Sequence, residues 1–390
     1  MRIFRDFKIP KIKMPKIKMD KVDLEELNTE CEADSAERVK EIKNFTIYEP
    51  MQYKTIKEVF LHALEAYPDN VFIQEKREHK GKFKKWTYAE FGKDVLGLGT
   101  GMVKYLNLFD KRVVIIGENS YNWYISYMAM LCGVGIAVPI DKDIPANELE
   151  NLIHRARASA IIYSPKKKDV IEKIKENVPE VDYFIEMYSD SPLSDKHIGL
   201  HAVKDIGCKL IESGDDSFRQ IEIDPEEFKV LIFTSGTTAS SKGVMICNRN
   251  LAQNINAVSA YIKQYETDCW LSILPLHHTY ESTIGFLVPM SSGASIGVCE
   301  GLKYIVQNMH ELQPTIMLTV PLLVENLYKK IRANIKKSKK STLVNSMIYI
   351  TNGLKSLNVD IKRRVFAEII NNLGGRVRII VSAAAPIDPK

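Results

Sequence analysis

A stretch rich in serine, threonine and glycine constrains the fold of this chain more than any other segment. It reads Phe233-Thr-Ser-Gly-Thr-Thr-Ala-Ser-Ser-Lys-Gly-Val-Met245, follows the apolar run 229–233, which is typical of a buried strand, and precedes a helical pattern at Asn248. Glycines let backbone N–H groups turn toward oxygen anions, while hydroxyls and a lysine add donors and charge. A solvated surface loop would explain the composition, but neither the single lysine nor the position after a strand. We therefore predict a phosphate-binding loop.

The stretch differs from a Walker A loop, in which Gly-Lys precedes Ser or Thr, because Ser241 precedes Lys242 here. It resembles the signature loop of the adenylate-forming (AMP-binding) superfamily, which reads Thr-Ser-Gly-Thr-Thr-Gly-x-Pro-Lys-Gly. Ala239 replaces a glycine of that pattern, and Ser241 replaces its proline. The resemblance implies that ATP phosphates are bound by Thr234, Ser235, Gly236, Thr237, Thr238, Lys242 and Gly243.

Length and composition indicate a globular protein of more than one subdomain. The chain has 390 residues, 45% of them hydrophobic, and Lys+Arg 54 against Asp+Glu 49 leaves a net charge of only +5. This near balance does not predict nucleic-acid binding. The six cysteines form no Cys-x-x-Cys pair, so we predict no metal site built on them and a reducing, cytoplasmic location.

Short apolar runs alternate with helical patterns from Thr55 onward. Thr55 is a candidate helix N-cap, and Thr87 with Glu90 forms a candidate capping box. Strands are predicted at 112–117, 135–141, 160–163, 229–233, 270–274, 294–298, 315–319 and 377–381. Continuous apolar strands alternating with helices predict the α/β class, with parallel sheets covered on both faces.

We predict two doubly wound parallel-sheet subdomains, as in the N-terminal domain that the resemblance implies. The first α/β subdomain is placed at 53–220, and the second, which holds the phosphate loop and is incomplete at its C-terminus, at 221–390. A basic and charged arm occupies 1–52. Within it, lysines and arginines alternate with Ile, Met, Phe and Pro over 2–21. This pattern fits either a solvated arm or a peripheral contact with anionic lipid. Another lysine-rich run, 329–340, is predicted to be a solvated loop or helix end.

Other segments match the same superfamily in the required order. The segments 86–91 and 132–141 are similar to its Thr-Tyr-x-Glu-Leu and Gly-Ala-x-x-Val-Pro-Ile-Asp patterns, which identify the fold more than the chemistry. Leu274-Pro-Leu-His-His-Thr-Tyr-Glu281 resembles its Leu-Pro-x-x-His-x-x-Glu segment. On that alignment His278, rather than His277, is the family histidine. The resemblance places His278 at the acyl carboxylate or an α-phosphate oxygen.

Two later segments concern the substrate. Residues 313–331 resemble the Pro-Thr…Val-Pro-x-x-x-Glu-x-x-Tyr segment of long-chain fatty acyl-CoA synthetases, although Leu322 stands where an arginine is usual. Residues 382–387 are similar to the family turn Ser-Gly-Gly-Ala-Pro-Leu, with alanines at both glycine positions. The resemblance implies that adenine and the acyl chain are flanked by Ala383, Ala384, Ala385 and Pro386.

The resemblance implies an ATP-dependent fatty acid–CoA ligase that uses ATP, Mg²⁺ and coenzyme A, with His278 and Lys242 as its catalytic residues. The Tyr-Gly-x-Thr-Glu segment and later family patterns do not occur in the sequence. We therefore expect the amino-terminal portion of a larger enzyme, inactive alone. It is expected in the cytoplasm, either free or peripheral at the inner membrane face.

Alternatives remain open at this stage. The adenylate could pass to a carrier-protein thiol, the acid could be aryl or of medium chain length, or the chain could bind nucleotide or lipid without turnover. Acyl-chain length and oligomeric state are not predicted.

Overall fold

A computed structural model describes residues 48–79, 81–234, 241–337, 341–355, 361–371 and 373–386. Most of the predicted arm, residues 1–47, lies outside the described residues. The same is true of four predicted loop residues: Ser235, Gly236, Thr237 and Thr238.

The strands of the described residues follow the predicted apolar runs, with several additions. They are β1 (Val71–Glu75), β2 (Lys84–Thr87), β3 (Lys111–Ile116), β4 (Gly135–Ile140), β5 (Ala160–Tyr163), β6 (Tyr183–Glu186), β7 (His197–Gly199), β8 (Phe228–Thr234), β9 (Lys242–Cys247), β10 (Cys269–Ser272), β11 (Ser295–Val298), β12 (Ile316–Thr319) and β13 (Ile379–Ser382).

Helices connect most of these strands. They are α1 (Ile56–Ala66), α2 (Tyr88–Thr100), α3 (Tyr121–Ala129), α4 (Ala146–Ala156), α5 (Lys168–Ile174), α6 (Leu200–Glu212), α7 (Ser217–Gln220), α8 (Asn248–Tyr261), α9 (Val288–Ser291), α10 (Ile305–Leu312), α11 (Pro321–Lys337), α12 (Ser341–Lys355), α13 (Lys362–Val365) and α14 (Ala367–Asn371). Three π-helical segments span Gly101–Tyr105, Met130–Val134 and Tyr280–Leu287.

The strands form two sheets, which confirms the predicted α/β class. One is six-stranded, in the order β13-β12-β10-β11-β1-β2, and the other is seven-stranded, in the order β7-β6-β5-β3-β4-β8-β9. Neighbouring strands are parallel except for the antiparallel pairs β1–β2 and β8–β9. Each sheet contains strands from both sides of the proposed boundary between residues 220 and 221. Strands β8 and β9, which follow the boundary, belong to the seven-stranded sheet, and β1 and β2, which precede it, belong to the six-stranded sheet. That boundary stays a prediction.

Alternating strand residues face two different apolar layers. On β3, Val113 belongs to a large cluster that also contains Phe72 and Ile296 of the six-stranded sheet, whereas Val114 packs into a second cluster with Leu149 of α4. Because successive side chains of a strand point to opposite faces, both faces of the sheet are buried. The predicted covering of the sheets on both faces is therefore confirmed for the seven-stranded sheet.

Local sequence signals fixed several helix starts. The Thr55 hydroxyl caps α1 in a reciprocal capping box with Glu58, and Thr87 does the same for α2 with Glu90. The predicted lysine run from Lys329 lies in the second half of α11, which continues to Lys337. None of the helices in the described ranges combines the length and apolar character needed to cross a bilayer.

Candidate active site

A cavity of about 540 Å³ opens where β4 and β8 end. Ligands of open parallel sheets meet the carboxyl ends of strands, so this position suits a binding site. The segment after β10 supplies the opposite wall. The lining includes Ile140, Asp141, Thr234, Ser241, His277 and His278. The structure thus brings both ends of the predicted phosphate loop together with the predicted histidine.

The two ends of the predicted loop lie in paired antiparallel strands. Thr234 at the end of β8 pairs with Lys242 at the start of β9, and Phe233 pairs with Gly243. No sequence pattern predicted β9. Lys242 and Gly243 consequently lie in a strand, and the Lys242 side chain is exposed. Thr234 and Ser241 line the cavity, whereas Lys242 is not part of its lining.

Arg155 of α4 contacts residues on both sides of the predicted loop. Its Nη2 donates a hydrogen bond of 2.5 Å to the Ser241 carbonyl oxygen, and its guanidinium lies 5.2 Å from the centre of the Phe233 ring. A guanidinium can stack on an aromatic ring and donate to a carbonyl at the same time. Arg155 was not predicted, because nothing in the sequence of α4 marks one basic residue near its end as a contact of the loop.

The two histidines differ in environment. His277 Nε2 lies 3.8 Å from Asp141 Oδ2, and burial, followed by the charge of His278, lowers the pKa of His277 to about 4. His277 is therefore neutral at neutral pH, so its contact with Asp141 is not an ion pair there. His278 is exposed. Its carbonyl oxygen accepts hydrogen bonds from the backbone N–H groups of Glu281 and Ser282, which fix the start of the following π-helix.

Asn119 ties the histidine segment to both sheets. It follows β3 of the seven-stranded sheet, and its Nδ2 donates to Ser272 Oγ at 3.0 Å and to the Leu274 carbonyl oxygen at 2.8 Å. Its Oδ1 accepts from the Leu276 backbone N–H at 3.1 Å. One amide side chain thus holds the strand end of β10 and the start of the segment that carries His277.

A buried carboxyl group completes this network. Ser272 Oγ accepts from the Tyr124 hydroxyl at 2.9 Å and donates to Glu281 Oε1 at 2.6 Å. Glu281 is 1% exposed, and burial raises its pKa to about 8. Its Oε2 has no hydrogen-bond partner among the described residues. Glu281 is therefore largely protonated at neutral pH, because desolvation disfavours the carboxylate.

Sequence reasoning identified Glu281 as part of a motif but not as a buried acid. The spacing from His278 to Glu281 is that of one helical turn, which was the available signal. Nothing marked Asn119 or Ser272, since their roles depend on contacts between distant segments.

The turn after β13 does not line the cavity. Strand β13, which precedes the turn, is joined to the histidine segment by the Tyr280 hydroxyl, which donates to the Val381 carbonyl oxygen at 3.3 Å. Ala384 has φ 73, in the left-handed region. An alanine there is strained, whereas the glycine of the family pattern is not. The structure therefore retains the backbone shape of a glycine turn at Ala384.

The resemblance also implies Mg²⁺. Asp141, Asp143 and Glu148 line the cavity. However, no group of three or more His, Cys, Asp or Glu side chains in the described ranges could hold a metal ion. The described residues therefore offer no preformed cage of protein ligands for Mg²⁺, and no step is assigned to that ion.

Comparison with known proteins agrees with this fold. The family model for AMP-binding enzymes matches residues 60–390, so the chain belongs to the AMP-binding enzyme family. Within that family it is similar to long-chain-fatty-acid–CoA ligase 5 of Rattus norvegicus, with 28% identity over 360 residues that cover 86% of this chain and 51% of the relative.

The chain is also similar to a second curated ligase and to a solved structure. The long-chain-fatty-acid–[acyl-carrier-protein] ligase AEE15, chloroplastic, of Arabidopsis thaliana is 23% identical over 74% of this chain and 41% of its own length. The crystal structure of a long-chain-fatty-acid-CoA ligase from Archaeoglobus fulgidus shares the fold, with a TM-score of 0.63, 18% identity, and coverage of 74% of this chain and 57% of that one. The chain spans about half the length of the curated relatives cited here.

Proposed function

We propose that this chain provides the ATP- and acyl-binding walls of a long-chain fatty acid–CoA ligase. The fatty acid carboxylate attacks the α-phosphorus of ATP, forming the acyl-adenylate and releasing pyrophosphate. The sulfur of coenzyme A then attacks the acyl carbon, forming the thioester and releasing AMP. Little covalent chemistry is required of the protein, so positioning and charge stabilisation lower the barrier.

One observation carries this proposal: Thr234 and Ser241, at the two ends of the hydroxyl-rich loop, line the same cavity as His278. In the proposed arrangement the loop and Lys242 bind the β- and γ-phosphates, and His278 donates a hydrogen bond to the acyl carboxylate or an α-phosphate oxygen. The turn from Ala383 to Pro386 flanks adenine and the acyl chain. Asn119 and Arg155 act indirectly, because they hold the segments that carry these groups.

Exchange of labelled pyrophosphate into ATP in the presence of palmitate tests the adenylation step. We expect palmitate-dependent exchange by the full-length protein, and exchange roughly 10- to 150-fold slower in Lys242→Ala. Lys209→Ala removes an exposed lysine of α6 and serves as the matched control. Exchange that does not depend on a fatty acid, or that survives unchanged in Lys242→Ala, contradicts the proposal.

A carrier-protein thiol is the second candidate acceptor, and it is favoured by the similarity to an acyl-carrier-protein ligase. Both acceptors require the same adenylate, so exchange does not separate them. Mass analysis after addition of either coenzyme A or a phosphopantetheinylated carrier protein does. ATP binding without exchange would instead indicate a module that binds nucleotide without turnover.

A further inference from the structure

Helix α12 exposes an unusually apolar surface. Residues 341–354 contain no charged side chain. Leu343 is 53%, Tyr349 66% and Ile350 58% exposed. Leu343 and Ile350 are two turns apart and lie on the same side of the helix. Leu343 also borders a cavity of about 400 Å³ lined by Leu327, Ile331 and Met347, so the apolar surface continues inward from the exposed side chains. A clustered apolar surface of this kind indicates a binding face.

The segments that flank this apolar surface in the sequence are basic. Residues 326–359 contain eight lysines and arginines and no acidic residue. Helix α11 carries Lys336 and Lys337, both exposed, in its last turn. Arg332 Nη1 donates to Asn345 Oδ1 at 3.0 Å, which joins α11 to α12. The basic helix and the apolar helix are therefore neighbours, and their exposed side chains are here called the α11–α12 face.

We infer that the α11–α12 face docks on an anionic lipid bilayer. Exposed Leu, Ile and Tyr side chains would enter the boundary between headgroups and acyl chains, while neighbouring lysines remain among the phosphates. Each lysine near an anionic surface contributes about 1 kcal/mol. A second copy of the chain fits less well, because two such faces would bring like-charged helices together. The inference stands apart from the proposed catalysis, since it rests on a surface outside the candidate site.

A tryptophan introduced by Tyr349→Trp tests this face directly. The tryptophans of the chain, Trp86, Trp123 and Trp270, are all at most 8% exposed, so they report little on the surface. Vesicles of phosphatidylcholine, with and without phosphatidylglycerol, are the probe. We expect the Tyr349→Trp emission to shift to shorter wavelength and to be quenched by brominated lipid, but only with phosphatidylglycerol. The matched control is Phe109→Trp, at a side chain 52% exposed, which should remain unquenched.

Charge reversal provides the second arm. The double variant Lys336→Glu, Lys337→Glu, combined with Tyr349→Trp, should bind these vesicles at least about tenfold more weakly, and added salt should weaken the parent in the same direction. Reversal of Lys54 and Lys209 is the charge control. Three results would overturn the inference. The first is vesicle binding without quenching of the tryptophan at position 349, and the second is equal quenching at position 109. The third is a spectral shift that depends on protein concentration in the absence of vesicles, which would indicate that the face binds a second copy of the chain.

Discussion

The Ser272 hydroxyl donates a 2.6 Å hydrogen bond to the carboxyl group of Glu281, which is fully buried beside the candidate site. Ser272 Oγ also accepts bonds from Asn119 and Tyr124. Its single proton is therefore committed to Glu281. A protonated Glu281 keeps Oε1 as the acceptor, so the bond from Ser272 is retained without a buried charge.

Glu281→Gln should change how stability depends on pH. Burial raises the pKa of Glu281 from 4.5 to about 8, so the folded protein retains a proton that the unfolded chain has lost. This contribution to the free energy of unfolding is complete below pH 4.5 and is lost as pH rises to about 8. The loss is about 1.4 kcal/mol per pH unit across that window. Urea unfolding at several pH values should show that the free energy of unfolding of Glu281→Gln, relative to the parent, increases as pH rises. A parallel pH dependence for both proteins would rule out the raised pKa.

Lys242→Ala should weaken the use of ATP more than the binding of fatty acid. Loss of one hydrogen bond to a charged group costs about 1.5–3 kcal/mol, equivalent to roughly 10- to 150-fold. The Michaelis constants for ATP and palmitate in the full-length protein provide the measurement, with Lys209→Ala as control. An unchanged constant and turnover for ATP would remove Lys242 from the site.

His278→Ala should slow pyrophosphate exchange by about 10- to 150-fold, whereas His277→Ala should remain closer to the parent. His278 is exposed at the cavity, and His277 is half-buried, with a pKa lowered to about 4 and a contact to Asp141. We therefore expect His277→Ala to affect stability more than exchange. A larger loss of exchange in His277→Ala than in His278→Ala would assign the substrate contact to His277.

Ala384→Gly should stabilise the protein relative to Ala383→Gly. Ala384 has φ 73 and pays about 1 kcal/mol or more for a left-handed conformation, which glycine adopts freely. Ala383 is not among the residues with positive φ, so glycine there only adds entropy to the unfolded chain and costs about 0.4–1 kcal/mol. Urea unfolding of the two variants gives the difference. Equal effects would mean that Ala384 carries no strain.

Elements defined by local patterns could be predicted from the sequence. Thr55 and Thr87 begin helices as predicted, because a capping box is complete within four residues. Buried strands such as β5 were found as continuous apolar runs. The superfamily motifs located Thr234 and His278, which the structure brings to one cavity.

Features that depend on contacts between segments, rather than on local periodicity, could not be predicted. Lys242 lies in β9 because it pairs with Thr234, although the segment that joins these two residues is rich in serine and threonine, which is typical of a loop. Glu281 is usually a surface residue type, and its burial follows from packing under β10 and α3 rather than from its own segment. The hydrogen bonds of Asn119 and Arg155 join segments that are far apart in the sequence. The hydrophobic periodicity of a single segment therefore does not predict them.

The pairing of strands that lie far apart in the sequence has a consequence for biosynthesis. Strand β1 pairs with β11, and Ile73 faces Ile296, so its parallel partner is synthesised more than two hundred residues later. At about 5–20 residues per second, translation of that interval takes roughly 10–45 s. Until then β1 has only the short antiparallel β2 beside it in the six-stranded sheet. Nascent chains therefore carry an unpaired strand edge on the ribosome for much of their synthesis, and chaperones that shield such edges should influence the yield of folded protein.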